Sequence, residues 1–166
     1  MVKIEILINE GKVSKIKETE LARYTEFFSE SYKDNLSHAE SNIETYPRWA
    51  IISGYYAMHD IAKLLIAKIY RLKIEREVHA TTIKALRELI RDDETIKLLE
   101  EGYEEFQELG DELADAKKER VKVQYYTGSR FLKEKYKEKS ITFFNETVKT
   151  FIKKILKLLE EGKNDN

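Results

Sequence analysis

The chain has 166 residues, of which 37% are charged, and its formal net charge at pH 7 is -1. A chain of this length can bury one core, and its balanced charge gives no global reason to bind nucleic acid or membranes. The absence of cysteine excludes disulfides, thiolate metal sites and thiol catalysis. Asn and Gln are scarce beside Lys and Glu, as in many proteins of thermophiles.

Residues 1–16 are predicted to form an amino-terminal arm. Within this arm, residues 2–8 are a short strand or an extended segment, which ends at Gly11. This start is too short and too charged for a signal peptide. From residue 18 to residue 44, apolar side chains recur at spacings of three and four, which predicts a helix. Residues 45–47 then form a turn into the next helix.

The segment from residue 47 to residue 72 is predicted to be the central helix of the domain. Pro47, the only proline, suits the first turn of a helix. Apolar residues cover nearly all sides of this helix, which is typical of a buried position. The small residues Ala50, Gly54 and Ala57 predict that a neighbouring helix approaches closely. Charged residues interrupt the apolar run, so we expect no membrane span and a cytoplasmic protein.

Four further helical segments follow. Residues 73–78 are predicted to be a charged connection, and residues 79–91 and 94–109 to be helical. Gly110 and Asp111 indicate that one helix stops and another is capped. A last helix runs from residue 133 or 140 to residue 161, and residues 163–166 form a frayed tail. We therefore expect an all-α fold, with residues 17–162 forming one antiparallel up-and-down bundle of four to five helices.

The charge is unevenly distributed. Between residues 88 and 115 acids outnumber bases by about ten, and between residues 117 and 163 bases outnumber acids by about eight. One interpretation is that these segments are neighbours with complementary faces. The other is a basic face for RNA, a nucleotide or an acidic partner.

Several of these segments resemble the HEPN domain (higher eukaryotes and prokaryotes nucleotide-binding), in its stand-alone prokaryotic or archaeal branch. The resemblance lies in SGYYAMHDIAK at residues 53–63, in the histidine that opens the following helix, in RVKVQY at residues 120–125 and in INEGKV at residues 8–13. It extends from about residue 8 to residue 161. It implies a bundle of four to five helices that often forms a symmetric homodimer.

Many proteins of this family are metal-independent ribonucleases, often toxins paired with a minimal nucleotidyltransferase. The resemblance implies that an arginine, followed by four to six residues and a histidine, would form the catalytic site across the dimer. Here Tyr125 stands five residues after Arg120, where that pattern would accept a histidine. This departure favours binding over cleavage, so the catalytic residues stay unknown.

Arg120 shares a predicted helical face with Leu113 and Ala116 and is expected to point inward. A buried guanidinium needs an anionic or carbonyl partner, which is either a protein group or a ligand phosphate. Gln124 lies one turn further on and would share that ligand. Tyr125 converges with Arg120 only if the helix loosens or a second subunit contributes.

The central helix and the start of the next one contain four further candidates for binding a nucleotide, RNA or an anion. His59 is either a satisfied core group or a proton donor or base. Lys63 either reaches solvent or neutralises a phosphate. His79 either caps its helix or contacts a ligand at the helix N-terminus. Tyr56 is one of ten tyrosines, whose rings suit either helix packing or base stacking.

No metal-ligating pattern, phosphate-binding glycine loop or cofactor motif is present in the sequence, so we expect no metal and no cofactor. The leading hypothesis is a non-catalytic or divergent HEPN module that binds a nucleotide or RNA. The alternatives are a ribonuclease toxin of a toxin–antitoxin pair, using Arg120 with Tyr125 or His59, and a structural protein that dimerises or binds a nucleotidyltransferase.

Overall fold

The computed structural model describes the backbone of residues 3–119 and 129–164, and the side chains of residues 3–111 and 134–162. In these ranges the chain is mostly helical, which confirms the all-α prediction, with one small two-stranded sheet. The elements are α1 (Ile4–Asn9), β1 (Val13–Lys15), α2 (Glu18–Asn42), α3 (Pro47–Tyr70), β2 (Leu72–Ile74), α4 (Val78–Leu89), α5 (Asp93–Glu119), α6 (Ser129–Thr142), a π-helix (Phe143–Val148) and α7 (Lys149–Asn164).

Helix α3 is the centre of the domain, as its composition predicts. It begins with Pro47 in the first turn and ends where Arg71 adopts a left-handed conformation, with φ 57°. Most of its side chains are buried, and it contacts α2, α4, α5, α6 and α7. In the part of the chain that the structure describes, no helix combines the length and apolar character that a bilayer span requires.

Helices α2 and α3 run antiparallel, as the sequence predicts for neighbours joined by a short turn. Ser31 of α2 bonds Asp60 of α3, and His38 bonds Ser53, so residue numbers rise along one helix as they fall along the other. The antiparallel pairing brings the polar side chains of α2 against the few polar side chains of α3.

The next pair is parallel, which corrects the prediction of an up-and-down bundle throughout. Tyr55 of α3 contacts His79 of α4, and Tyr70 bonds the carbonyl of Leu89, so both numbers rise together. The reason lies in the connection, which returns along α3 through β2 before α4 begins. The return places the first turn of α4 beside the middle of α3.

The amino-terminal segment is not an extended arm. Residues Ile4–Asn9 form helix α1, Gly11 turns the chain with φ 67°, and β1 then pairs with β2. Leu7 and Val13 are each only 1% exposed, and α1 contacts α4. Burial against α4 outweighs the strand preference of the isoleucines in α1. The pairing of β1 with β2 also makes residues 73 and 74 of the predicted charged connection part of a strand, because β1 supplies a partner that is distant in sequence.

Helix α5 continues through Gly110, where the sequence predicts a break. A glycine inside a helix costs about 1 kcal/mol relative to alanine, which the neighbouring turns of a long helix can outweigh. The Cβ position of Gly110 has no neighbour within 4 Å. The residue is therefore an exposed helical position and not a helix end.

The carboxy-terminal helices form one continuous helical run of α6, the π-helix and α7. The run is longer than the predicted last helix, and α7 includes residues 163 and 164 of the predicted tail. A Cβ on Gly54 would lie 3.0 Å from Val148 Cγ2 and 3.3 Å from Phe143 Cε1. The predicted close approach of a neighbouring helix is therefore confirmed at Gly54.

Ion pairs connect the acidic and basic segments. Lys139 lies 2.7 Å from both Glu105 and Glu108, and Lys154 lies 2.9 Å from Glu94. These contacts show that α5 and the carboxy-terminal run are antiparallel neighbours. The first interpretation of the uneven charge, complementary faces within the domain, is confirmed for these lysines.

Candidate functional site

Six aromatic side chains from three helices meet beside the middle of α3. We call this group the His–aromatic cluster: Tyr55, Tyr56 and His59 of α3, His79 of α4, and Tyr103 and Phe106 of α5. It contains three of the four described binding candidates, Tyr56, His59 and His79, and the fourth, Lys63, lies one turn beyond His59. Tyr55 and His59 are completely or almost completely buried, whereas the other four side chains are half-buried.

The positions of these residues follow from the helix geometry. Tyr55 and His59 are four residues apart on α3, so their side chains lie on one face. Tyr103 and Phe106 are three residues apart on α5 and face them. His79 joins the group because the parallel arrangement of α3 and α4 brings the first turn of α4 to this level of α3.

His59 is buried and is held through one of its ring nitrogens. It is 4% exposed, and its Nε2 lies 3.2 Å from Thr82 Oγ1 and 3.5 Å from the carbonyl oxygen of Val78. The Thr82 hydroxyl donates its proton to Val78 at 2.7 Å, so Nε2 of His59 is assigned as the donor to Thr82. The other nitrogen, Nδ1, lies 3.8 Å from Asp60 Oδ1, which is beyond hydrogen-bond distance. Its burial and its contact with Thr82 support the interpretation of His59 as a core histidine.

His79 is the more open of the two histidines. Its ring stacks on Tyr103, with centroids 5.5 Å apart and an angle of 14° between planes, and lies 4.8 Å from the ring of His59. Nδ1 lies 2.6 Å from the hydroxyl of Tyr55. Burial lowers the pKa of His79, and the nearby His59 and Lys63 lower it further. The ring is therefore neutral at pH 7.

The hydroxyl of Tyr55 retains its proton. Tyr55 is fully buried, and burial raises the pKa of its phenol well above the ordinary value, with smaller contributions from Tyr103 and Tyr56. The hydroxyl can therefore donate a hydrogen bond throughout the physiological pH range.

Lys63 lies between the His–aromatic cluster and α2. Its Nζ is 4.0 Å from the centroid of the Phe28 ring, which is within cation–π range. Burial lowers the pKa of Lys63, and the charge of Asp60 opposes this shift. The ammonium group of the half-buried Lys63 is thus partly withdrawn from water.

On the other side of α3 lies a second polar group, which we call the Asp60 network: Asp60 with Ser31 and Asn35 of α2. Asp60 is 7% exposed, and its Oδ2 accepts hydrogen bonds from Ser31 Oγ at 2.6 Å and Asn35 Nδ2 at 3.1 Å. Sequence reasoning overlooked this network, although an aspartate inside an apolar helix is a signal that a buried polar partner exists.

The sequence-predicted residues Arg120, Gln124 and Tyr125 lie outside the described residues. Helix α5 is described as far as Glu119, which is about 20 Å along the helix axis from Phe106 at 1.5 Å per residue. Tyr55, Tyr103 and Phe106 are the residues of the His–aromatic cluster that were not sequence-predicted candidates, since nothing in their local pattern distinguishes them from packing residues.

Within residues 3–111 and 134–162 no group of three or more His, Asp or Glu side chains is placed to hold a metal ion. The half-buried rings instead pack against one another around His79, whose pKa is lowered. Comparison with protein-family models, with curated proteins and with solved structures found no significant match to the chain.

Proposed function

We propose that the chain is a HEPN-like helical protein that binds a nucleotide or RNA without cleaving it, with the His–aromatic cluster as the binding surface for a base. One observation carries the proposal: the half-buried rings of Tyr56, His79, Tyr103 and Phe106 meet at one place, beside Lys63. Aromatic side chains of this kind bind bases by stacking, independently of sequence. The resemblance of residues 53–63 to the HEPN pattern supports the same class of ligand.

The non-catalytic part of the proposal is supported by the environment of His59. A histidine that is only 4% exposed and whose Nε2 bonds Thr82 has little access to a substrate with which to exchange a proton. This disfavours one of the two groups expected to replace the usual histidine. The other, Tyr125, lies outside the described residues.

Isothermal titration with ATP, GTP and a short single-stranded RNA tests binding. We expect a dissociation constant below the millimolar range for at least one of them. Tyr103→Leu should weaken it by about 5- to 100-fold, because stacking of a base on an aromatic ring contributes about 1–3 kcal/mol. Trp49→Leu is the matched control, since Trp49 is an aromatic residue that is 61% exposed and lies outside the cluster. Equal losses in both variants, or no binding by the wild-type protein, would sink the proposal.

The ribonuclease alternative is tested in the same samples. We expect the RNA to stay intact after prolonged incubation without metal ions. Cleavage that disappears in Arg120→Ala would replace the binding proposal by the ribonuclease alternative.

Binding to a second copy or to a nucleotidyltransferase is the other candidate. It is favoured by three large exposed aromatic side chains, Phe27, Tyr46 and Trp49, which are 62%, 59% and 61% exposed. Light scattering, alone and with a candidate partner, measures this directly. A monomer that binds no partner would argue against it.

A further inference from the structure

The two nitrogens of His79 have different environments. Nδ1 lies 2.6 Å from the Tyr55 hydroxyl. Because Tyr55 retains its proton and the His79 ring is neutral, the hydroxyl donates to Nδ1, and the ring proton is assigned to Nε2 from this hydrogen bond. Nε2 lies on the opposite side of the ring, and within residues 3–111 and 134–162 no group accepts a hydrogen bond from it.

We propose that His79 donates its Nε2–H to an acceptor atom on the base of the bound ligand, and that Tyr55 is the positioning residue that fixes this tautomer. The inference rests on the proposed function. It adds which protein atom contacts the ligand, Nε2 of His79, and which part of the ligand that atom contacts, the base. The burial of Tyr55 fits this role, since a residue that is 0% exposed cannot touch a ligand itself and can act only through His79.

A base is favoured over a phosphate by the surroundings of His79. Its neighbours Tyr103 and Phe106 are aromatic, with ring centroids 5.5 Å from its own, and Tyr56 lies 6.1 Å away. An aromatic environment of this kind suits a planar base better than a phosphate. A phosphate would gain most from a charged imidazole, whereas the His59 ring, Lys63 and burial together keep His79 neutral.

Nitrogen-15 NMR of the ligand-free protein tests the tautomer. We expect the wild-type His79 to carry its proton on Nε2 alone at about pH 7.5, and Tyr55→Phe to show a mixture of both tautomers. A wild-type proton on Nδ1 would overturn the inference whether or not any ligand binds.

Titration with the four nucleoside monophosphates and with ribose 5-phosphate tests the acceptor. Gln places an amide N–H near the position of Nε2, whereas Asn places its polar atoms near Nδ1. Both substitutions remove the ring of His79 and should weaken binding. We expect His79→Gln to bind about three- to tenfold more tightly than His79→Asn, and Tyr55→Phe to bind about three- to tenfold more weakly than wild type, the loss of one neutral hydrogen bond.

The outcomes separate the inference from the proposed function. Wild-type binding with equal affinities for His79→Gln and His79→Asn would overturn the inference and leave the proposed function intact. Ribose 5-phosphate binding as tightly as the nucleotides would place the phosphate at His79 and overturn it too. No binding of any of these ligands or of RNA by the wild-type protein would overturn both.

Discussion

The buried polar side chains of α3 are hydrogen-bonded differently on its α2 side and on its α4 side. His59 and Asp60 are adjacent in sequence and both buried, yet they face different neighbours. On the α2 side, Asp60 accepts two hydrogen bonds from side chains that serve no other described partner outside the network. On the α4 side, His59 is buried and bonds Thr82 through Nε2, whereas the half-buried His79 beside it keeps one nitrogen without a partner among the described residues.

The difference separates structural polar groups from candidate functional ones. A buried polar group that is fully paired contributes to stability and specificity of packing. A half-buried group with one unpaired hydrogen-bonding atom contributes little to the stability of the fold and can bind a ligand through that atom. The comparison predicts that changes in the Asp60 network act on stability, whereas changes in the His–aromatic cluster act on binding and on pH dependence.

The largest effect is expected for Asp60→Ala. It leaves the Ser31 hydroxyl and the Asn35 amide without their shared acceptor in a partly buried site, which costs about 2–3 kcal/mol in free energy of unfolding. Urea denaturation measures this. Ser14→Ala is the matched control, because it removes an exposed hydrogen bond to Glu75 and should cost less than about 0.5 kcal/mol. Equal costs in the two variants would contradict a structural role for the network.

A smaller effect is expected in the pH dependence of stability. The pKa of His79 is lower in the folded protein than its ordinary value of 6.5. The unfolded chain therefore binds a proton first as the pH falls below that value, and the free energy of unfolding decreases. This destabilisation by His79 is absent above about pH 7.5 and grows toward pH 5.

Urea denaturation at about pH 7.5, 6.5 and 5.5 measures this dependence. His79→Gln removes the titrating ring, so its free energy of unfolding should fall less over this range than that of the wild type. The carboxylates with lowered pKa, Glu75, Asp92 and Glu108, lose their contribution at lower pH and do not obscure the comparison. Parallel decreases in both proteins would show that His79 is not the group responsible.

The smallest effect on stability is expected for Lys63→Met, at the boundary of the two regions. The variant loses the cation–π contact with Phe28, which destabilises the fold, but it no longer buries an ammonium group, which stabilises it. Because these effects oppose each other, the free energy of unfolding should change by less than about 1 kcal/mol. The pKa of His79 should rise, because the charge of Lys63 lowers it in the wild type. An NMR titration of His79 follows this, with exposed Lys68→Met as the control. A lower or unchanged pKa in Lys63→Met would place Lys63 outside the electrostatic environment of His79.

The sequence predicted part of the site because its residues stand out locally. His59 interrupts an apolar helix, and His79 opens the next one, so both are visible without tertiary information. Their roles were not visible. His59 becomes a core group only because α4 runs parallel to α3 and places Thr82 beside it, and Tyr103 and Phe106 reach His79 from a helix more than twenty residues further along the chain.

The helical character of the domain, the central position of α3 and the close approach at Gly54 could all be predicted from the amino-acid sequence. Periodicity and composition carry this information, because burial of an apolar helix depends on its own side chains. Long-range packing instead makes residues 4–9 a helix, pairs β1 with β2, continues α5 through Gly110 and places α4 parallel to α3. Each of these depends on contacts between segments distant in sequence, whose free energy outweighs the local preferences that a sequence displays.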